Sequence, residues 1–198
     1  MVESTVSEDL KIANVKGNVF MIQRNYAVAK WGEDIIKKVE TDLAAEWLSF
    51  ISNQETLRMK WVPQTFFSDF YRSLINHVGI DKKMLCKEIG NAVMKNMVNN
   101  LMITMFKLGT PNTVAITAAT LWSRNYDQGK AIVETSKNQF VFIVKGYRPA
   151  TEYNGFSLWG GLEAYVEMIG YQVVSSSYDK SVLSGDDCEQ YTINWTHK

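Results

Sequence analysis

The densest cluster of potential metal ligands lies near the C-terminus, in the stretch SGDDCEQYTINW at residues 184–195. It places one thiol, Cys188, directly beside the carboxylates of Asp186, Asp187 and Glu189. A structural zinc site takes four ligands, mostly Cys and His, whereas the whole chain has two cysteines and two histidines. We therefore expect no metal site here and interpret Cys188 as a small buried residue at the start of a strand.

His77 is the candidate for any function that needs a histidine, because the other histidine, His197, is one residue from the end of the chain. A haem needs an axial ligand, and His77 is the one interior histidine that offers it. Its position in the last turn of an amphipathic helix also suits a cation that stabilises the helix C-terminus. Haem and zinc thus remain possible cofactors, with His77 and Cys188 as candidate ligands, but we expect neither.

Signatures of nucleophilic catalysis and of phosphate binding are missing from the sequence. It contains no GxSxG motif and no glycine-rich phosphate loop. Gly160 and Gly161 fall inside a helical pattern, where we expect them to allow close packing of that helix on a strand. An enzyme acting on a hydrophobic substrate is therefore the least favoured class of function.

A cluster of aromatic side chains, with Met168, surrounds the strand-rich part of the chain, and such side chains line small-molecule pockets as well as cores. We predict a pocket between helices and sheet, with charged head groups of a ligand paired by Arg124, Lys145 or Arg148. The alternative is that the same residues are ordinary core. The candidate ligand-binding residues are Met102, Phe106, Trp122, Tyr126, Phe142, Trp159 and Tyr165.

The charge balance excludes some partners. Lysine and arginine together number 21, as do aspartate and glutamate, so the net charge is zero. Nucleic-acid binders need a basic surplus to displace counterions, and anionic membranes attract basic surfaces. The N-terminus lacks the features of a signal peptide, and no apolar run is long enough to span a membrane. We expect a cytoplasmic protein with reduced thiols and no nucleic-acid or membrane partner.

The periodicity of apolar residues changes once along the chain. Up to about residue 126 it is helical, including a methionine-rich helix predicted at 82–108 that belongs either to the core or to a homodimer interface. After Gly129 the order becomes strand, strand, helix, strand, strand, with the helix at 156–169. This order predicts an α+β fold. We expect a flexible tail at residues 1–14 and a single domain at 15–198.

The order of short motifs resembles a bacterial domain family best known from myxobacterial proteins. The motifs are VKGNV (15–19), WGE (31–33), WVP (61–63), EIGNA (88–92), LGTP (108–111), GGLE (160–163) and the C-terminal stretch already quoted. That family is similar to the 4-vinyl reductase domain, the haem nitric-oxide-binding domains and the TRAPP transport subunits. The resemblance implies an N-terminal helical part packed on a four-stranded antiparallel sheet, with a crossing helix between two hairpins.

The resemblance also implies a ligand between sheet and helices, which is haem, an acyl chain or a small aromatic molecule in different relatives. Regulator-type relatives bind zinc through cysteines of the C-terminal hairpin, but here only Cys188 remains, since KSVLS at 180–184 has no cysteine. The haem relatives place their axial histidine in the helix directly before the sheet, and this chain has no histidine there. Neither metal group is therefore expected.

These observations favour a non-enzymatic sensory or regulatory module that binds a small hydrophobic molecule. The signal would pass to a separate signalling protein, because the chain has no output domain of its own. Two alternatives stay open, namely a dimerisation or scaffold module with a filled core and a haem-based gas sensor.

Overall fold

The computed structural model describes residues 11–98 and 111–197. Within these ranges the chain forms helices first and a sheet afterwards. The elements are β1 (Asn14–Lys16), α1 (Gly17–Trp31), α2 (Glu33–Thr41), α3 (Ala45–Ile51), α4 (Gln54–Met59), β2 (Trp61–Pro63), α5 (Gln64–Val78), α6 (Lys82–Met97), α7 (Pro111–Asn125), β3 (Lys130–Thr135), β4 (Gln139–Lys145), α8 (Glu152–Met168), β5 (Tyr171–Lys180), a 3₁₀ turn (Val182–Ser184) and β6 (Cys188–His197).

The four C-terminal strands form one antiparallel sheet in the order β3-β4-β6-β5. Two hairpins, β3–β4 and β5–β6, meet where β4 pairs with β6, so that Phe142 lies opposite Tyr191. Helix α8 connects the hairpins and packs on the sheet. The predicted α+β fold, with a crossing helix between two hairpins, is confirmed.

Local signals place several helix ends where the sequence predicts them. Gly79 ends α5 in the left-handed conformation, with φ of 65°, which glycine adopts without strain. The Asp81 side chain accepts a hydrogen bond from the backbone N–H of Met84 at 2.9 Å and so caps α6. Helix α8 starts earlier than predicted, because Thr151 and Asn154 form a reciprocal capping box there.

Two glycines allow α6 and α8 to cross at backbone contact distance. A β-carbon on Gly90 would lie 1.8 Å from the Ser157 carbonyl oxygen, and one on Gly160 would lie 2.0 Å from the Lys87 carbonyl oxygen. Both distances are far below van der Waals contact, so only glycine fits at either position. The prediction that Gly160 allows close packing is right. The prediction that the packing partner is a strand is wrong, because the partner is helix α6.

The structure corrects two further expectations. The tail is not free up to residue 14, because Ala13 is buried, and its backbone N–H donates to the Arg148 carbonyl at 3.1 Å. Asn14 belongs to β1, which pairs with β2. The predicted helix at 82–108 ends at Met97, since Val98 is extended; residues 99–110 lie outside the described ranges. Among the helices of the described residues, none is long and apolar enough to cross a membrane.

The close contact between α6 and α8 can be tested by substituting the adjacent residues Gly160 and Gly161. We expect Gly160→Ala to lower the free energy of unfolding by about 3 kcal/mol or more, because its β-carbon collides with rigid backbone. For Gly161→Ala the nearest atom to the new β-carbon is at 3.4 Å, and alanine favours helix by about 1 kcal/mol over glycine. Urea unfolding of both variants checks this; equal stability of the two would contradict the crossing.

Candidate functional site

A cavity of about 70 Å³ lies between the helical part and the sheet. Residues of helices α1, α6, α7 and α8 line it, together with Phe142 of β4. Most of its lining is apolar, which suits the body of a small organic ligand. The described residues that line it are Val19, Gln23, Gly90, Val93, Met94, Met97, Ala118, Leu121, Trp122, Asn125, Tyr126, Phe142, Ser157, Leu158, Gly161, Leu162 and Tyr165.

An aromatic group forms one side of the cavity. The rings of Trp122 and Tyr126 are stacked with 3.9 Å between their centroids and 3° between their planes. Tyr147 meets the edge of Trp122, at 4.8 Å between centroids. The Trp122 indole N–H donates to the Gln128 carbonyl at 3.0 Å, which fixes the ring. This side of the cavity is therefore rigid, because packing and a hydrogen bond both hold it.

Two methionines form another part of the lining. Met94 and Met97 lie one turn apart on α6, at the end of the described part of that helix. Methionine is unbranched and has three rotatable side-chain bonds, so it adapts to differently shaped neighbours. The cavity thus combines a fixed aromatic side with an adjustable one.

The structure brings four of the predicted ligand-binding residues to this cavity: Trp122, Tyr126, Phe142 and Tyr165. Trp159 is buried but is not part of the cavity lining; its ring lies 3.9 Å from the Lys87 ammonium and its N–H donates to Ser176. Met102 and Phe106 lie outside the described residues. Ligand binding by these residues remains a prediction.

The candidates for pairing a charged head group lie away from the cavity. Arg124, Lys145 and Arg148 are exposed, and none of them is among the described lining residues. In the part of the lining that the structure describes, there is no Lys, Arg, His, Asp or Glu. A charged group buried there would have no counter-ion, so the cavity suits a neutral molecule.

The two candidate metal ligands, His77 and Cys188, have surroundings that explain them without a metal ion. The Nε2 atom of His77 lies 2.8 Å from a carboxylate oxygen of Asp42 on the surface. Cys188 is buried at the start of β6, and burial raises the pKa of its thiol. Within residues 11–98 and 111–197, no group of three or more His, Cys, Asp or Glu side chains is arranged to hold a metal ion.

Comparison with known proteins relates the chain to one group of structures. Neither a protein-family model nor a curated protein sequence matches it. An H-NOX protein from K. algicida in the Fe(II) unliganded state matches with a TM-score of 0.64 and 13% identity, covering 92% of this chain and 97% of that protein. An S. oneidensis H-NOX protein in the Fe(II)NO state matches with a TM-score of 0.60 and 12% identity, covering 92% and 99%.

These matches establish the fold. The chain has an H-NOX-like α+β architecture. At 12 to 13% identity, the likeness carries no statement about ligand or activity.

The residues of the cavity do not fit a haem. Helix α7, which directly precedes the sheet, contains no histidine. Of the side-chain types that ligate haem iron, the described lining offers Tyr126, Tyr165, Met94 and Met97. Burial raises the pKa of Tyr126 to about 12 and also raises that of Tyr165, so both are neutral phenols without a metal. The cavity of about 70 Å³ is also far below the roughly 300 Å³ or more of pockets for large ligands.

Glu189 was considered from the sequence as a carboxylate beside Cys188, but its burial was missed. Glu189 is fully buried on β6 and accepts hydrogen bonds from the Val182 N–H at 2.8 Å and from the Tyr178 hydroxyl. It therefore ties the turn of the β5–β6 hairpin to the sheet. Every second residue of β6 is buried, namely Tyr191, Ile193 and Trp195. This alternation indicates that the Glu189 side chain faces inward as well.

The pH dependence of stability tests the burial of Glu189. Burial raises the pKa of this carboxyl, although its hydrogen bonds lower it in part. With the folded pKa above the unfolded one, the folded state loses stability as pH rises from the ordinary glutamate range towards neutral. We expect Glu189→Gln to gain stability relative to the wild type between pH 4 and pH 7, measured by urea unfolding. Glu167→Gln, an exposed site, is the control, and a pH-independent difference for Glu189→Gln would contradict the expectation.

Proposed function

We propose that this protein is a non-enzymatic sensory or regulatory module that binds a small, neutral, hydrophobic molecule between its helices and its sheet. The carrying observation is the mostly apolar cavity between the helices and the sheet. The H-NOX-like fold supports a ligand-binding role, because the neighbouring structures include Fe(II) and Fe(II)NO forms. A haem-based mechanism is set aside on the lining residues described above.

Several finer statements belong to the same proposal. The chain is a member of the myxobacterial-type family that its motifs resemble, acts in the cytoplasm as a homodimer, and passes its signal to a separate protein. Residues 15–198 work as one domain. The seven aromatic and methionine residues named from the sequence remain candidates for ligand contact, of which Trp122, Tyr126, Phe142 and Tyr165 have the support of the cavity geometry.

Native mass spectrometry of the purified chain, with an absorbance scan of the same sample, tests the proposal. Extra mass that is lost on denaturation, without a haem absorption band, is the expected result. A haem band would overturn the haem-independent mechanism. A clean mass of the bare chain would favour the alternative, a dimerisation or scaffold module whose core needs no ligand.

A cavity-filling pair of variants localises any bound molecule. Ala118 is buried and lines the cavity, whereas its neighbour Ala119 faces a surface depression on the other side of α7. We expect Ala118→Leu to lose the bound mass and to gain up to about 2 kcal/mol of stability, since each buried methylene contributes about 0.8 kcal/mol. Ala119→Leu is the matched control and keeps the bound mass. Retention of the mass by Ala118→Leu would place the ligand elsewhere.

A further inference from the structure

Gln23 carries a buried polar atom that the fold leaves without a partner. The side chain lies on α1 and is 3% exposed. Its Oε1 atom is buried and has no hydrogen-bond partner among the described residues. Such atoms are rare in folded proteins, and each one needs an explanation such as a bound molecule. Gln23 lines the cavity, so its free amide end is available to a ligand there.

We propose that the ligand carries one hydroxyl group, or an equivalent neutral group that both donates and accepts, and that Gln23 recognises it. This inference rests on the proposed function and narrows the ligand class. The bound molecule is then an apolar body with a single neutral polar end. A pure hydrocarbon leaves the Gln23 amide unpaired, and a carboxylate or an ammonium meets no counter-ion in the described lining.

The neighbouring polar groups already have partners of their own. The Asn125 side-chain amide donates to the Leu121 carbonyl at 2.8 Å. The Tyr71 hydroxyl donates to the Ser157 hydroxyl at 2.8 Å. Among the described residues that line the cavity, Gln23 is the one with a fully buried side-chain oxygen or nitrogen that lacks a partner.

A hydroxyl group suits an amide better than other neutral groups do. A half-turn about the last side-chain bond exchanges the amide oxygen and the NH₂ group of glutamine with little change in shape. A hydroxyl donates to the oxygen in one orientation and accepts from the NH₂ in the other. Recognition therefore does not depend on which amide atom faces the cavity.

The size of the cavity limits the apolar body. An apolar cavity of about 150 Å³ is large enough to bind benzene, and this one is about 70 Å³. A probe of four or five carbon atoms is about as large as benzene, so it enters only if Met94 and Met97 move aside, which their flexible side chains allow.

A buried water molecule is the competing explanation. A second cavity of about 20 Å³ adjoins Gln23 and is also lined by Gln64, Tyr71 and Asn154. A cavity of this size can hold one water molecule, which would satisfy the amide without any ligand. In that case Gln23 has no part in ligand selection, and the experiment below gives a negative result.

The experiment compares two probes of the same length, one of which ends in a hydroxyl group and the other in a methyl group. Dissociation constants of 1-butanol and n-pentane are measured by NMR titration of the full chain in three forms: wild type, Gln23→Met and Gln128→Met. Methionine keeps the length of glutamine and removes the amide. Gln128 is the control, because its Oε1 is also buried without a partner but the residue is not among those that line the cavity.

We expect Gln23→Met to reduce the preference for butanol over pentane about tenfold, which is the effect of one buried hydrogen bond, and Gln128→Met to leave it unchanged. Comparing this ratio between the wild type and a variant cancels the different costs of moving the two probes out of water. Binding of both probes with the same ratio in wild type and Gln23→Met would overturn the inference but keep the proposed function. Binding of neither probe to the wild type would overturn both. Gln23→Leu provides the same readout if the methionine variant does not give a folded spectrum.

Discussion

The backbone contact between α6 and α8 is the constraint on which the rest of the structure depends. Gly90 and Gly160 let the two helices approach until the carbonyls of Ser157 and Lys87 fill the space that side chains would need. This contact joins the helical part to the helix that lies on the sheet. Gly90 and Gly161 also line the cavity. The helix crossing therefore forms part of the cavity lining.

Features that depend on neighbouring residues could be predicted from the sequence. The end of α5 at Gly79 and the start of α6 at Asp81 follow from backbone and capping chemistry within a few residues. The alternation in β4 and β6 predicted strands with one buried face. The end of α6 at Met97 could not be predicted in this way, because no glycine or proline follows it directly and an apolar helical pattern continues beyond it.

The helices and strands that line the candidate site could be predicted from the sequence, but not all of the individual residues could. Trp159 was assigned to the pocket from its place on α8, yet its neighbours Leu158 and Leu162 line the cavity in its stead. One residue along a helix is a rotation of about 100°, which a periodicity pattern cannot fix without knowing the helix partner. Gln23 was missed, although the sequence contains a signal, namely a single amide directly after the apolar run at 19–22.

A ligand in this cavity is in a position to influence both halves of the fold. The buried residues form two clusters, one among the N-terminal helices and one between α8 and the sheet, and Tyr126 and Phe156 pack against both. Tyr126 also lines the cavity and forms a bridge with Val15 at the start of the fold. A ligand shifts a conformational equilibrium only by its difference in affinity for the two states. A change in how the helical part sits on α8 would alter the cavity directly, because both clusters contribute to its lining. Binding there can therefore favour one arrangement of the two parts over another.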